Sequence, residues 1–131
     1  MEIRTGVDIV EISRFERLNP AIKARFLKRV FTPQELEKCS NSSASLAGRF
    51  AVKEAVAKAL QTGIGPVSWQ DIETIEGPAG EPILVLHGGA ARLAEQLALT
   101  HWSISISHTA TIAIAVALAM SDPVPGSPSE Q

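Results

Sequence analysis

The chain of 131 residues contains no tyrosine, two tryptophans and four phenylalanines, and Cys39 is its only cysteine. One thiol excludes an internal disulfide and any cysteine-based zinc site, and makes the cytoplasm the expected compartment. No apolar run flanked by basic residues opens the chain, so no leader peptide is expected. The longest apolar stretch, Ile112 to Met120, is too short to span a bilayer, and no membrane partner is expected. A Gly-x-Ser-x-Gly elbow is missing, which argues against a serine hydrolase. Gly63-Ile64-Gly65-Pro66 lacks the Gly-Lys-Ser/Thr ending of a phosphate loop, so any phosphate must be held by side chains and scattered amides. No repeat and no linker interrupts the chain before Ser121. The segment 121–131 is too polar and proline-rich to pack and is expected to be a disordered tail, leaving one domain over 1–120.

The net charge of −2 hides an asymmetry, because eleven of the twelve Lys and Arg but only seven of the fourteen Asp and Glu lie in residues 1–58. Six basic residues fall between Arg14 and Arg29. They form either a solvated helical face or a docking surface for an acidic partner. Nucleic acid is not expected to be that partner, since the sequence pI is 5.9 and the patch has no Tyr or Trp for stacking.

Residues 2–12 alternate and are rich in β-branched side chains, which predicts a strand. A short helix is expected near 13–18. Asn19-Pro20 is a cap followed by proline at the first helical position, opening a helix to about Arg29. Thr32-Pro33-Gln34-Glu35 is a capping box. The long helix after the serine cluster at 40–45 should place Leu46, Phe50, Ala57 and Leu60 inward, with Ala47, Ala51 and Ala55 keeping a neighbouring face thin. Gly63 is expected to end it in a left-handed cap. Trp69–Glu76, the Gly77–Gly80 turn and Pro82–His87 predict a hairpin. A helix with Leu93 and Leu97 inward should follow, and then strands over Trp102–Ser107 and Thr111–Ala119, the latter with Ile112, Ile114, Val116 and Leu118 on one side. Helices early and antiparallel strands late give an α+β class.

Against this frame, Asp8 and Glu54 are carboxylates in apolar surroundings, one on the first strand and one on the long helix. A buried carboxylate needs a cation, a donor network or a metal, so Asp8 is either structurally paired or a ligand. Glu54 has Lys58 one turn onward, and Arg49 and Lys53 share a spacing of four that suits an anion between them. Asp8 and Glu54 together would suit Mg²⁺, whose remaining coordination positions are commonly filled by water and phosphate oxygens. Lys53 and Lys58 would then steady those phosphates. His108 lies among hydroxyls in Ser105-Ile106-Ser107-His108-Thr109, where a strand meets a tight turn. His87 and His101 have no comparable setting.

Gly6-Val7-Asp8-Ile9-Val10-Glu11-Ile12, Ala47-Gly48-Arg49-Phe50-Ala51-Val52-Lys53-Glu54-Ala55 and Ser105-Ile106-Ser107-His108-Thr109, in that order, resemble the three signatures of bacterial holo-[acyl-carrier-protein] synthases. Thr62-Gly63-Ile64-Gly65 and Gly80-Glu81-Pro82 are similar to further elements of the pattern, although Glu81 stands where relatives often have a basic residue. The resemblance implies a 4'-phosphopantetheinyl transferase-like fold. It also implies transfer of the 4'-phosphopantetheine arm from coenzyme A to a serine of apo acyl carrier protein, supporting fatty acid biosynthesis. By the same resemblance, Asp8 and Glu54 bind Mg²⁺, and Glu54, Lys53 and His108 act in catalysis. Arg49, Lys58, Gly63, Ser107, His108 and Thr109 bind coenzyme A, while Arg14, Arg25 and Phe26 dock the carrier protein. The base is left open between a water on the metal and Glu54. A homotrimer with sites between subunits is implied.

Overall fold

The computed structural model describes residues 1–39 and 41–123. The expected tail from residue 124 onward lies outside the described residues. The chain runs β1 (Ile3–Glu11), α1 (Ser13–Glu16), α2 (Pro20–Val30), α3 (Pro33–Cys39), α4 (Ser43–Ala59), β2 (Ile72–Glu76), β3 (Pro82–Leu86), α5 (Gly88–Gln96), β4 (Leu99–His108) and β5 (Ile112–Ser121). The class is α+β, with most helices in the first half. Among the described residues, no helix is long and apolar enough to cross a membrane.

The helix starts follow local chemistry. The Asn19 side chain accepts from the Ala21 amide at 3.0 Å, and Pro20 opens α2. The capping box forms in both directions: the Glu35 amide donates to Thr32 Oγ1 at 3.1 Å, and the Thr32 amide donates to Glu35 Oε1 at 3.0 Å. The end of α4 differs from expectation. Gln61, not Gly63, is the first left-handed residue, with φ of 60°. Its amide bonds Lys58 O, and the Thr62 amide bonds Ala57 O, as in a Schellman cap. Gly63 is left-handed too, at φ 68°, but lies two residues beyond.

Three antiparallel strands form one sheet in the order β1-β5-β4, and β2-β3 form a separate hairpin. Trp69–Asp71 depart from the expected strand and make a 3-10 turn. There the Asp71 carboxylate caps the turn and Trp69 stacks on Phe50 with ring centroids 5.0 Å apart. On α5 the deepest residues are Ala90 and Ala94, with Leu93 and Leu97 only partly buried. The predicted tail also begins late. Ser121 still belongs to β5, and its amide donates to Glu2 O at 3.0 Å, while Asp122 bonds His101 and Thr100.

The core side of β5 is its alanine row, Ala113, Ala115, Ala117 and Ala119, and all four are buried. Helix α4 lays Ala47, Ala51, Ala55 and Ala59, also buried, against the sheet. Small residues on both surfaces permit close approach. A Cβ added to Gly6 would fall 1.9 Å from Ala55 O, and one added to Gly48 would fall 2.9 Å from Ile106 Cγ2. The helix therefore crosses from β4 at its start to β1 at its end. The alternation of β5 was read correctly, but its large residues form the outer face. Together with β1 they leave Ile3, Val7, Ile9, Ile112 and Val116 exposed by 55, 48, 62, 40 and 43%.

Candidate active site

Close contact at Gly6 places the next inward residue of β1, Asp8, beside the last turns of α4. Lys58 Nζ donates to Asp8 Oδ1 at 3.2 Å and to Val7 O at 2.8 Å. Burial pushes the Glu54 carboxyl above its ordinary range, and the negative charge of Asp8 pushes it further, against the opposing pull of Lys58 and Arg14. Asp8, Glu54, Lys58 and Arg14 thus share one field. Asp8 is less enclosed than its apolar neighbours suggested: its side chain is 18% exposed, because β1 is an edge strand with one open face. Among the described residues no group of three or more His, Cys, Asp or Glu could hold a metal. Asp8 and Glu54 stand as a pair of hard oxygen donors whose like-charge repulsion is only partly offset by Lys58 and Arg14, which fits a divalent cation that completes its shell with water or substrate oxygens.

Lys53 does not join this cluster. It is fully buried on another flank of α4, where its three N–H bonds go to Glu35 Oε1 at 2.8 Å, Trp69 O at 3.1 Å and Ile72 O at 2.5 Å. Burial pushes its amine below the ordinary lysine range, and the Glu35 charge only partly offsets this. The sequence expectation that Lys53 steadies a phosphate is corrected on this ground: its ammonium has no donor left to offer. Glu35 completes the arrangement by also accepting from the Thr74 amide at 3.0 Å.

Arg49 lies near the middle of α4, about 13 Å from Lys58 along the helix axis at 1.5 Å per residue. It borders a cavity of about 340 Å³ that is also lined by Thr74, Glu76, Gly80, Pro82 and Ile106. Arg49 Nε and Thr74 Oγ1 are buried there without a hydrogen-bond partner among the described residues. Two donors aimed at one cavity suit a polar, anionic guest. Lys38, on the rim, pairs with Glu76 at 2.7 Å.

His108 is level with Val10 through Ala113, so it faces the α4 side two strands away from β1, a span of about 10 Å. Ile106, two residues earlier on the same face, borders the Arg49 cavity. The imidazole is exposed, with Nδ1 3.1 Å from Thr109 O. Thr109 Oγ1 accepts from the Thr111 and Ile112 amides and so shapes the turn. Ser107, opposite Ile114, points to the outer face. Gly63 sits beyond the α4 terminus on the Lys58 side, with open space around it. One chain therefore carries two groups of candidate residues: Asp8, Glu54, Lys58 and Gly63 on the β1 side toward the end of α4, and Arg49 and His108 on the β4 side nearer its middle.

The proposed docking residues cluster separately. Arg25 and Phe26 border a shallow cavity with Ile22 and Arg29 on α2. Phe26 packs on Phe15 and Phe50, each with ring centroids 6.0 Å away. The Arg14 guanidinium lies 5.1 Å from the Phe50 ring centre, bridging this basic surface and the carboxylate pair.

Residues 4–117 match the family model described as the 4'-phosphopantetheinyl transferase superfamily. The holo-[acyl-carrier-protein] synthase of Moorella thermoacetica is 48% identical over 111 residues, spanning 81% of this chain and 84% of the relative. That of Natranaerobius thermophilus is 43% identical over 114 residues, spanning 85% and 91%. The chain belongs to the holo-[acyl-carrier-protein] synthases of this superfamily. Among solved structures, the Helicobacter pylori synthase in complex with coenzyme A superposes with a TM-score of 0.81 at 39% identity, covering 88% of this chain and 99% of that one. A Bacillus anthracis synthase in complex with CoA (3',5'-ADP) gives a TM-score of 0.73 at 33% identity, covering 91% and 96%.

Within this synthase, sequence reasoning overlooked Thr74 and the second role of Arg14. No pattern marks a lone threonine in a strand, and its importance rests on an orphaned hydroxyl that only the fold reveals. The resemblance assigned Arg14 to docking, yet it also acts on Glu54.

Proposed function

We propose that this chain transfers the 4'-phosphopantetheine arm of coenzyme A to a serine hydroxyl of an apo acyl carrier protein, releasing adenosine 3',5'-bisphosphate, with Asp8 and Glu54 holding Mg²⁺. The observation that carries the reading is the convergence of Asp8 and Glu54 under Lys58, in a chain of this family. Bound there, Mg²⁺ would neutralise charge developing on the pyrophosphate. The protein's own groups supply the rest. Lys58 presents an ammonium to the phosphates, and Arg49 and His108 offer donors to phosphate oxygens at the nucleotide end. The basic face around Arg14, Arg25 and Phe26 attracts the acidic carrier and guides its serine toward the carboxylates. Glu54 is one candidate for taking the serine proton, and the base is left open.

The separation of Arg49 and His108 on the β4 side from Asp8 and Lys58 on the β1 side supports a homotrimer in which neighbouring copies complete each other's site. The exposed apolar face of β1 and β5 is the surface that such an assembly would cover.

The test is to mix the purified chain with coenzyme A, Mg²⁺ and an apo carrier protein and to follow the carrier by intact-mass spectrometry. The expected result is a gain of one phosphopantetheine arm, abolished by chelator. No gain with several apo carriers, in conditions where a control transferase works, refutes the reading.

A further inference from the structure

Lys58 does more than wait for substrate. Its ammonium donates to Asp8 Oδ1 and at the same time to the carbonyl of Val7, so it is tied to β1 by two bonds. Among the described residues, Lys58 and Arg14 are the cations that offset the charge felt by Glu54, and of these two it is Lys58 that touches Asp8. The side chain is half exposed, at 53%, so nothing packs it into this position. A divalent cation and an ammonium cannot both occupy the same face of Asp8 Oδ1. A cation bound through Asp8 Oδ1 would meet an oxygen that Lys58 already holds.

We infer that Lys58 is an exchange residue, which serves as the resident cation on Asp8 in the free protein and is displaced by the divalent metal. The inference rests on the metal reading of Asp8 and Glu54 above. Displacement leaves Val7 O on an edge strand where water replaces the lost donor at little cost. The freed ammonium then stands at the end of α4, one side-chain swing from any phosphate bound to the metal. Metal alone therefore binds against a tethered competitor, whereas metal arriving with a phosphate gives that competitor a new partner. Metal and substrate affinities are coupled through Lys58, reciprocally.

The experiment uses the full-length chain without substrate. Mn²⁺ binding is followed by electron paramagnetic resonance for wild type, Asp8→Asn and Lys58→Gln, at low and high ionic strength. Lys58→Gln should bind Mn²⁺ about tenfold more tightly than wild type, a gain of about 1.4 kcal/mol. Because a contact competitor has been removed, the gain should persist at high salt, where a merely distant charge would be screened. In parallel, reductive methylation of the wild-type chain is read by peptide mass spectrometry, with the exposed Lys28 as reference. Mg²⁺ should speed labelling of Lys58 relative to Lys28 at least threefold. If Mn²⁺ affinity is unchanged in Lys58→Gln, or if Mg²⁺ leaves Lys58 labelling unchanged while the metal binds, the exchange is refuted. If Asp8→Asn binds Mn²⁺ as wild type does, the metal reading itself fails, and the exchange with it.

Discussion

Replacing Lys53 with methionine separates a structural lysine from a catalytic one. Methionine keeps the length and most of the volume but removes the charge and three donors. In the folded chain this leaves the Glu35 carboxylate buried with two backbone amides and no cation, and takes the lysine donor from the carbonyl of Ile72, while the Trp69 carbonyl keeps the Ile72 amide. Removing one partner of a buried pair costs about 3–5 kcal/mol. An orphaned carbonyl at Ile72 falls within the range of about 1–3 kcal/mol for an unsatisfied buried group, less where water reaches it. Against a typical domain stability of about 5–15 kcal/mol, the variant should be severely weakened. Adding Glu35→Gln should remove the uncompensated charge and restore about 2 kcal/mol, a coupling that a double-mutant cycle in urea reads directly. Activity per folded molecule should fall less than tenfold, because Lys53 points about 100° away from Glu54 around α4, into the Glu35 network. The reasoning is refuted if Lys53→Met keeps wild-type stability within 1 kcal/mol on a roughly 1 kcal/mol measurement scale while losing as much turnover as Glu54→Gln.

The other predictions touch the two groups of candidate residues, the outer face and the helix end. Thr74→Val removes an orphaned hydroxyl, so it should stabilise the free protein by about 1 kcal/mol in urea melts yet raise KM for coenzyme A about fivefold; no change in either would show that the hydroxyl faces nothing of consequence. Val116→Asp, in the centre of the exposed sheet face, should convert the proposed trimer to monomers by sedimentation equilibrium without loss of helical circular dichroism, and should abolish turnover if sites are shared between subunits. Gln61→Gly relieves a left-handed non-glycine residue and should add about 0.5–1 kcal/mol, read as a higher melting temperature. Glu54→Gln should lose transfer activity and yet gain stability. The folded carboxyl is raised above its ordinary 4.5, so the folded state holds the proton more tightly than the unfolded one. Ionised Glu54 therefore costs stability at neutral pH, by less than about 1 kcal/mol once solvent screening is allowed for. That cost disappears as pH falls below 4.5, so the advantage of the variant should shrink in the same window.

What could be read in the sequence was set by local physics. Caps at Asn19 and Thr32 act over three residues, and both formed as the residue types require. The thin alanine face of α4 was visible from its spacing. Its partner, the alanine row of β5, was not recognised as the core side, because a larger residue is ordinarily the better guess for the interior. Here the helix lies so close to the sheet that only alanine and glycine fit between them, which sends the isoleucines and valines outward. The pairing of Asp8 with Glu54 was legible as chemistry: two carboxylates in apolar settings call for a shared cation. The fate of Lys53 was not. Its partner Glu35 is eighteen residues away on another helix, and nothing in a single sequence reports that separation closing to 2.8 Å.

The neighbouring residues Lys53 and Glu54 differ for a reason that concerns the site as a whole. Successive side chains on a helix point about 100° apart, so one can enter the core while the next faces β1. Lys53 ties α4 to the carbonyls of Trp69 and Ile72 and to Glu35, fixing the rotation of the helix about its axis. Gly6 lets the Ala55 carbonyl rest on β1 and fixes its height above the sheet. Rotation and height together determine where Glu54 meets Asp8. A buried ion pair is a weak source of net stability, but a three-bond clamp strongly restrains orientation. Glu54 is in this way presented by a helix whose register is held from a different side. Loosening that clamp should first appear as poorer metal affinity and only afterwards as slower chemistry.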